Sequence, residues 1–171
     1  LKTQMFPKPI IAAVNGDCVA GGVELMLASD IRVAATHARF GLPEVRLSIY
    51  PFGGATVKLV HQIGYVHAMK LLLGAQLIDA EEAARIGLVS RVVPDDELLD
   101  AALDLADQIN GWSTQGVALT KKMMWSGLET ASLAAAIELE SHTQLYVRLT
   151  TQNFQEATRA RAEGRAPNFT D

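Results

Sequence analysis

Apolar positions along this chain come in two kinds of run, short unbroken ones and longer ones at helical spacing. "PIIAAVNG" (Pro9–Gly16) is nearly continuous and ends in Asn-Gly. That pattern predicts a strand buried on both faces, as in parallel sheets covered by helices. "DCVAGG" follows as a loop, and "VELMLASD" is too apolar for a surface helix, so it predicts a helix packed in the core. "DIRVAA" (Asp30–Ala35) is the next candidate strand, and "ARFGLPE" leads through a Gly-Leu-Pro bend. "YPFGG" is a second glycine-bearing loop before the helical pattern "ATVKLVHQIG", which Gly64 closes as a C-cap. "HAMKLLLGAQ" is helical again. "DAEE" (Asp79–Glu82) matches a capping box opening a short helix that Gly87 ends, and "LVSRVV" (Leu88–Val93) is strand-like.

From Pro94 onward the pattern is helical throughout: "DDELLDAALDLADQIN", "TQGVALTKKMMWSGLE" and "SLAAAIELESHTQLYVRLTTQ". The third is a long amphipathic pattern with apolar positions at Leu133, Ala136, Ile137, Leu145 and Leu149. Strands alternate with helices first and helices then run on alone, which predicts an α/β layer over residues 1–93 and a helical region over 94–171. No internal repeat and no low-complexity tract is visible.

Composition narrows the class. The 171 residues are 49% hydrophobic and 20% charged, the balance of a folded protein with a core. A net charge of -4 offers no electrostatic reason for nucleic acid or an anionic membrane as partner. No apolar run reaches the length of a membrane helix. Lone Cys18 builds no disulfide framework and no Cys/His zinc spacing occurs, which fits a reducing compartment and sets a cytoplasmic location as the expectation. The opening "LKTQMFPKPIIAAV" has no initiator Met and no signal-peptide architecture, and it reads like the inside of a longer chain.

Phosphate-cradling and dinucleotide glycine patterns, the nucleophile elbow and H-E-x-x-H are all absent. His37, His61, His67 and His142 fit surface or packing roles, and Cys18 has no evident base beside it. Two carboxylates remain. Glu24 follows Gly21-Gly22 in the first turn of an apolar helix, and Glu44 sits in "GLPEVRL" after Pro43. Either alone has an ordinary explanation, since acids favour helix N-termini and loops carry charge. Together, in one partly desolvated pocket, they would divide acid and base roles. The glycines add unpaired backbone N–H groups that a ligand oxygen can approach closely. One such donor is worth about 3–4 kcal/mol to an oxyanion. The residues therefore point to proton transfer next to a carbonyl.

"KPIIAAVNGDCVAGGVELMLASDIRVAATHARFGLPEV" resembles the signature region of the enoyl-CoA hydratase/isomerase (crotonase) superfamily. The shared features are a K-P-x-I-A-A-V-x-G strand, a G-G-x-E helix start, an acidic-hydrophobic strand and F-G-x-P-E. "GAQLIDAEEAARIGLVSRVVP" and "GRAPNF" resemble later family stretches. The likeness runs through the chain but matches only about the last two-thirds of the family domain, consistent with domain size. It implies an α/β fold: part of a crotonase-like ββα spiral core, then a helical C-terminal region. It also implies an acyl-CoA thioester substrate, no metal, no separate cofactor because CoA belongs to the substrate, and a homotrimer or homohexamer. By position, Gly21 matches the oxyanion-hole glycine, Glu24 the glutamate that activates water, and Glu44 the one handling the proton at the α carbon. The second oxyanion donor and much of the CoA adenine pocket belong to a family segment upstream of this sequence.

Gly22, Tyr50, Pro51 and Phe52 are the expected substrate-contacting positions. Where the family usually has Pro-Gly-x-Gly-Gly, this chain has Pro51-Phe52-Gly53-Gly54. Phe52, with Tyr50, either narrows the acyl or water pocket or simply fills hydrophobic space. Three functions fit the resemblance: 2-enoyl-CoA hydration with both glutamates, double-bond isomerisation with one or another crotonase-fold acyl-CoA chemistry, and acyl-CoA binding without turnover. The Ser132–Gln152 pattern is a candidate assembly contact or an internal packing face.

Overall fold

Two three-stranded sheets organise the first part of the chain; the computed structural model describes residues 3–170. β1 (Ile11–Val14) opens one sheet and β2 (Asp17–Val19) the other, and α1 (Gly21–Met26) follows. β3 (Ile31–Ala35) then returns to the first sheet, parallel to β1 with Ile11 opposite Ile31. β4 (Arg39–Gly41) returns to the second, parallel to β2 with Cys18 opposite Phe40. Each passage thus lays one strand in each sheet before turning away, a ββα spiral. The repetition is one of backbone path; no repeated residues accompany it.

A 3-10 turn over Glu44–Leu47 leads to α2 (Ala55–Ile63) and α3 (Tyr65–Gly74). Gly64 joins these helices at φ +79°, a left-handed conformation costly for a side chain, and its N–H closes α2 on the Val60 carbonyl. β5 (Ile78–Asp79) is antiparallel to β4, and α4 (Ala80–Arg85) starts directly after it. The capping box is half formed: Asp79 accepts from the Glu82 N–H at 2.8 Å, but the Glu82 carboxylate turns to Arg85 and Lys70 instead. β6 (Arg91–Val93) extends the first sheet beside β3, and α5 (Leu98–Asn110) follows.

The core follows from β3, the central strand. Ala34 joins the larger cluster with Val23, Leu27, Phe40, Leu59 and Leu88. Val33 and Ala35 face the other way, against Val93, Leu98 and Ala101. Burial on both faces, expected of β1, is found at β3; among the described residues β1 pairs with β3, and its Ala13 is exposed. The strands β2, β4 and β5 have no signature in the sequence pattern, because two or three residues carry too little alternation to read.

The chain divides into two compact units, the first ending at Ala106 and the second starting at Asp107. In the second, α6 (Thr114–Glu129) and α7 (Leu133–Thr150) are capped by Ser113 and Ser132, whose side chains accept from the N–H groups of Gly116 and Ala135. α8 (Asn153–Glu163) falls within the expected helical region but outside its three quoted helical stretches, because "NFQEATRARAE" is too polar for an amphipathic pattern. Its Glu156 accepts from Arg159, from Arg165 and from the Asn168 N–H, which fastens the terminal "GRAPNF" stretch. Arg165 first and Arg159 second hold the Glu156 carboxyl well below the usual range. Among the described residues, no helix is long and apolar enough to cross a membrane.

Candidate active site

The site begins where β2 and β4 end. Val19 lies opposite Gly41, and the Ala20 N–H extends the pairing to the Gly41 carbonyl at 2.9 Å. Past this common end, β2 runs into α1 with Glu24 and β4 runs into the 3-10 turn with Glu44. Both candidate carboxylates therefore leave neighbouring parallel strands at their C-terminal ends, the usual location of ligand sites in parallel sheets.

Glu24 is held by the second glycine-bearing loop. Its Oε1 accepts from the Gly53 N–H at 2.5 Å and the Ala55 N–H at 3.2 Å. Ala55 opens α2, so the carboxylate occupies the place of a cap for that helix. Lys58, one turn into α2, is buried. Burial lowers its pKa, the Arg32 charge adds to the effect, and the Glu24 carboxylate opposes it.

Arg32 steadies the same pair of helices from beneath. It is 7% exposed, and its Nε donates to the Met26 carbonyl at the end of α1. Its Nη2 donates to Gln62 in the last turn of α2 at 2.7 Å, and its Nη1 to the Leu88 carbonyl. Burial pulls its pKa down while the Asp30 charge opposes that. Satisfied donors of this kind make a buried guanidinium tolerable.

Glu44 contrasts with Glu24. It is 8% exposed, and its Oε2 is buried with no hydrogen-bond partner in the structure. A carboxylate oxygen left this way is costly and calls for a role. Gly21 is the first residue of α1, where an N–H has no intrahelical acceptor, and a side chain there would meet only open space. The residue before it, Ala20, has φ +51° and ψ −120°, strained for a residue with a Cβ. Gly22 instead packs near Cys18.

Of the expected substrate-contacting positions, Pro51 is buried, whereas Tyr50 is 69% and Phe52 75% exposed. Phe52 therefore fills no interior space of this chain. Gly53, Ala55 and Arg32 are the site residues not singled out by sequence. The glycine loop was visible, but nothing local ties it to a carboxylate twenty-nine residues earlier. Cavities of about 570 and 550 Å³ belong to the second unit, and neither is lined by a candidate glutamate. Among the described residues, no group of three His, Cys, Asp or Glu side chains could hold a metal ion.

Comparison with known proteins identifies the family and the fold. The family profile described as enoyl-CoA hydratase/isomerase matches residues 1–171. A "Probable enoyl-CoA hydratase" of Mycobacterium tuberculosis is 48% identical over 172 residues, covering 100% of this chain and 60% of the relative. A short-chain-enoyl-CoA hydratase of Clostridium acetobutylicum is 40% identical over 140 residues, 82% of this chain and 53% of the relative. The crystal structure of a probable enoyl-CoA hydratase/isomerase from Mycobacterium abscessus superposes with a TM-score of 0.91 at 42% identity, covering 95% of this chain and 63% of that one. The chain thus spans about 60% of the length of the first of these relatives. The α/β fold, a partial crotonase-like spiral followed by helices, is that of these structures.

Proposed function

This chain belongs to the enoyl-CoA hydratase/isomerase family, and we propose that it carries the hydration machinery of a 2-enoyl-CoA hydratase. The observation that carries this reading is the pairing at one sheet end of an amide-anchored Glu24 with a buried, unpartnered Glu44. Glu24 takes a proton from water, whose oxygen adds to the β carbon. Glu44 delivers a proton to the α carbon, and exchange with solvent resets both groups. The Gly21 N–H stabilises the thioester oxygen as it gains enolate character, worth about 3–4 kcal/mol for one donor. Gly22, Tyr50, Pro51 and Phe52 border the acyl group, with the exposed Phe52 ring shaping access for acyl chain or water. Hydration changes no oxidation state overall, so no redox cofactor is needed, and CoA arrives with the substrate. The working form is a cytoplasmic homotrimer or homohexamer.

Glu24→Gln and Glu44→Gln should each abolish water addition to a short 2-enoyl-CoA, measured by loss of the conjugated thioester absorbance. Near-normal turnover by either variant defeats the two-carboxylate mechanism. A second reading, double-bond isomerisation, is favoured by the asymmetry of the pair, because Glu24 is anchored and Glu44 alone is unpartnered. Heavy-oxygen water separates the two: label at the β carbon means hydration, and unlabelled positional isomers mean isomerisation. Acyl-CoA binding without turnover across a chain-length series would support the non-catalytic reading.

A further inference from the structure

We infer that Ala20 is a positioning residue whose strained backbone aims the Gly21 N–H at the thioester oxygen, an inference that rests on the oxyanion role proposed for Gly21. Ala20 has φ +51° and ψ −120°, a conformation that glycine adopts freely and alanine does not. Two hydrogen bonds hold it there. Its N–H donates to the Gly41 carbonyl at 2.9 Å, and its carbonyl accepts from the Glu24 N–H at 3.1 Å. The peptide planes on both sides of its Cα are thereby fixed, one by β4 and the other by α1. Relaxing φ to the ordinary negative range would swing one plane against the other by roughly 100° and break one of these bonds.

Gly41 has no room to yield. A Cβ on it would stand 2.6 Å from Leu77 Cδ2 and 3.2 Å from the Gln76 carbonyl oxygen, so its backbone packs directly against that segment. The plane joining Ala20 to Gly21 carries both the carbonyl turned toward Glu24 and the Gly21 N–H. A trans peptide points these two groups to opposite sides, so the N–H is directed out of α1. Glu44, whose buried Oε2 has no partner, leaves β4 three residues after Gly41. One strained residue therefore sets the Gly21 donor in the same frame as both glutamates.

The test compares the parent with Ala20→Gly and Ala20→Val, with any sequence that flanks residues 1–171 retained. Its readouts are thermal melts, kcat on a short 2-enoyl-CoA, and the infrared band of bound butyryl-CoA isotope-labelled at the thioester carbonyl. An oxyanion donor lowers that band on binding. Ala20→Gly should keep the parental kcat and the lowered band. It should also melt higher, because relieved strain outweighs glycine's added freedom in the unfolded chain. Ala20→Val carries a branched side chain that opposes positive φ. Its kcat should fall roughly 100-fold, the scale of one lost oxyanion donor, and its band should return toward that of free ligand. A structural role alone would change only the melting temperatures. A lowered band or a parental kcat per folded molecule in Ala20→Val thus overturns the positioning role. A band that binding leaves unmoved in the parent overturns the oxyanion role of Gly21 instead. Whether or not Ala20→Val folds, Ala20→Gly decides on its own terms. A raised melting temperature with the band kept low supports the inference, because glycine favours the conformation in question. An unraised melting temperature or a lost band shift overturns it.

Discussion

His37 lies on a loop where its Nδ1 stands 2.7 Å from an Asp95 oxygen, and Thr36 donates to the other oxygen of the same carboxylate. The Asp95 hydrogen bond, then its charge, raises the His37 pKa above the ordinary 6.5, with Asp17 adding a smaller push. The same bond holds Asp95 below its ordinary 3.8. A raised histidine stabilises the folded state fully below 6.5 and loses that contribution as pH climbs through the raised value. A lowered aspartate contributes above 3.8 and loses it as pH falls through the lowered value. The tether is therefore strongest between these limits. In Asp95→Asn the His37 ring resonances should titrate at lower pH than in the parent, and an unmoved titration would show that the pair is not formed in solution. Neither partner's role is legible in sequence, because the Thr36–Asp95 hydrogen bond joins positions fifty-nine apart.

Helices of the first unit are bounded by features that a sequence displays openly, and Gly64 is the clearest. It ends α2 and precedes α3 at φ +79° and ψ 161°. A Cβ there would meet no atom within 4 Å, so substitution is penalised by backbone conformation alone. Gly64→Ala should cost about 1–3 kcal/mol in chemical denaturation, whereas Gly74→Ala, equally open but helical, should cost nothing. Equal stabilities would mean that the α2–α3 turn relaxes to another conformation. Asp79 belongs to the same legible class, since an N-cap needs only the three residues that follow it. β2 and β4 belong to the other class. Their pairing joins residues about twenty apart in sequence, and no local preference in "DCV" or "RFG" announces a strand.

At the scale of the whole molecule the amphipathic α7 stands out. Leu133, Ile137, Leu145 and Leu149 all remain more than half exposed, and no residue of α6 or α7 is buried. Apolar surface of this extent favours burial in an assembly. Replacing Leu145 and Leu149 with glutamate should shift the proposed trimer or hexamer toward smaller species in sedimentation velocity, and an unchanged distribution would place the contact elsewhere. What the sequence determined by itself is local: the existence of the strand within Asp30–Ala35, though not its burial on both faces, the glycine-closed helices, and two acids in helix-start and bend contexts. These follow from neighbours within about four positions, where backbone sterics and hydrogen-bond partners are already decided. Only the tertiary structure decided what each acid faces. It set Glu24 against the amides of Gly53 and Ala55, left Glu44 Oε2 without a partner, and tied Arg32 to Leu88 across fifty-six residues. Such contacts depend on how the spiral brings distant loops to one sheet end. Chain connectivity carries no local signal for that placement, because the energy that fixes it comes from packing of the shared core.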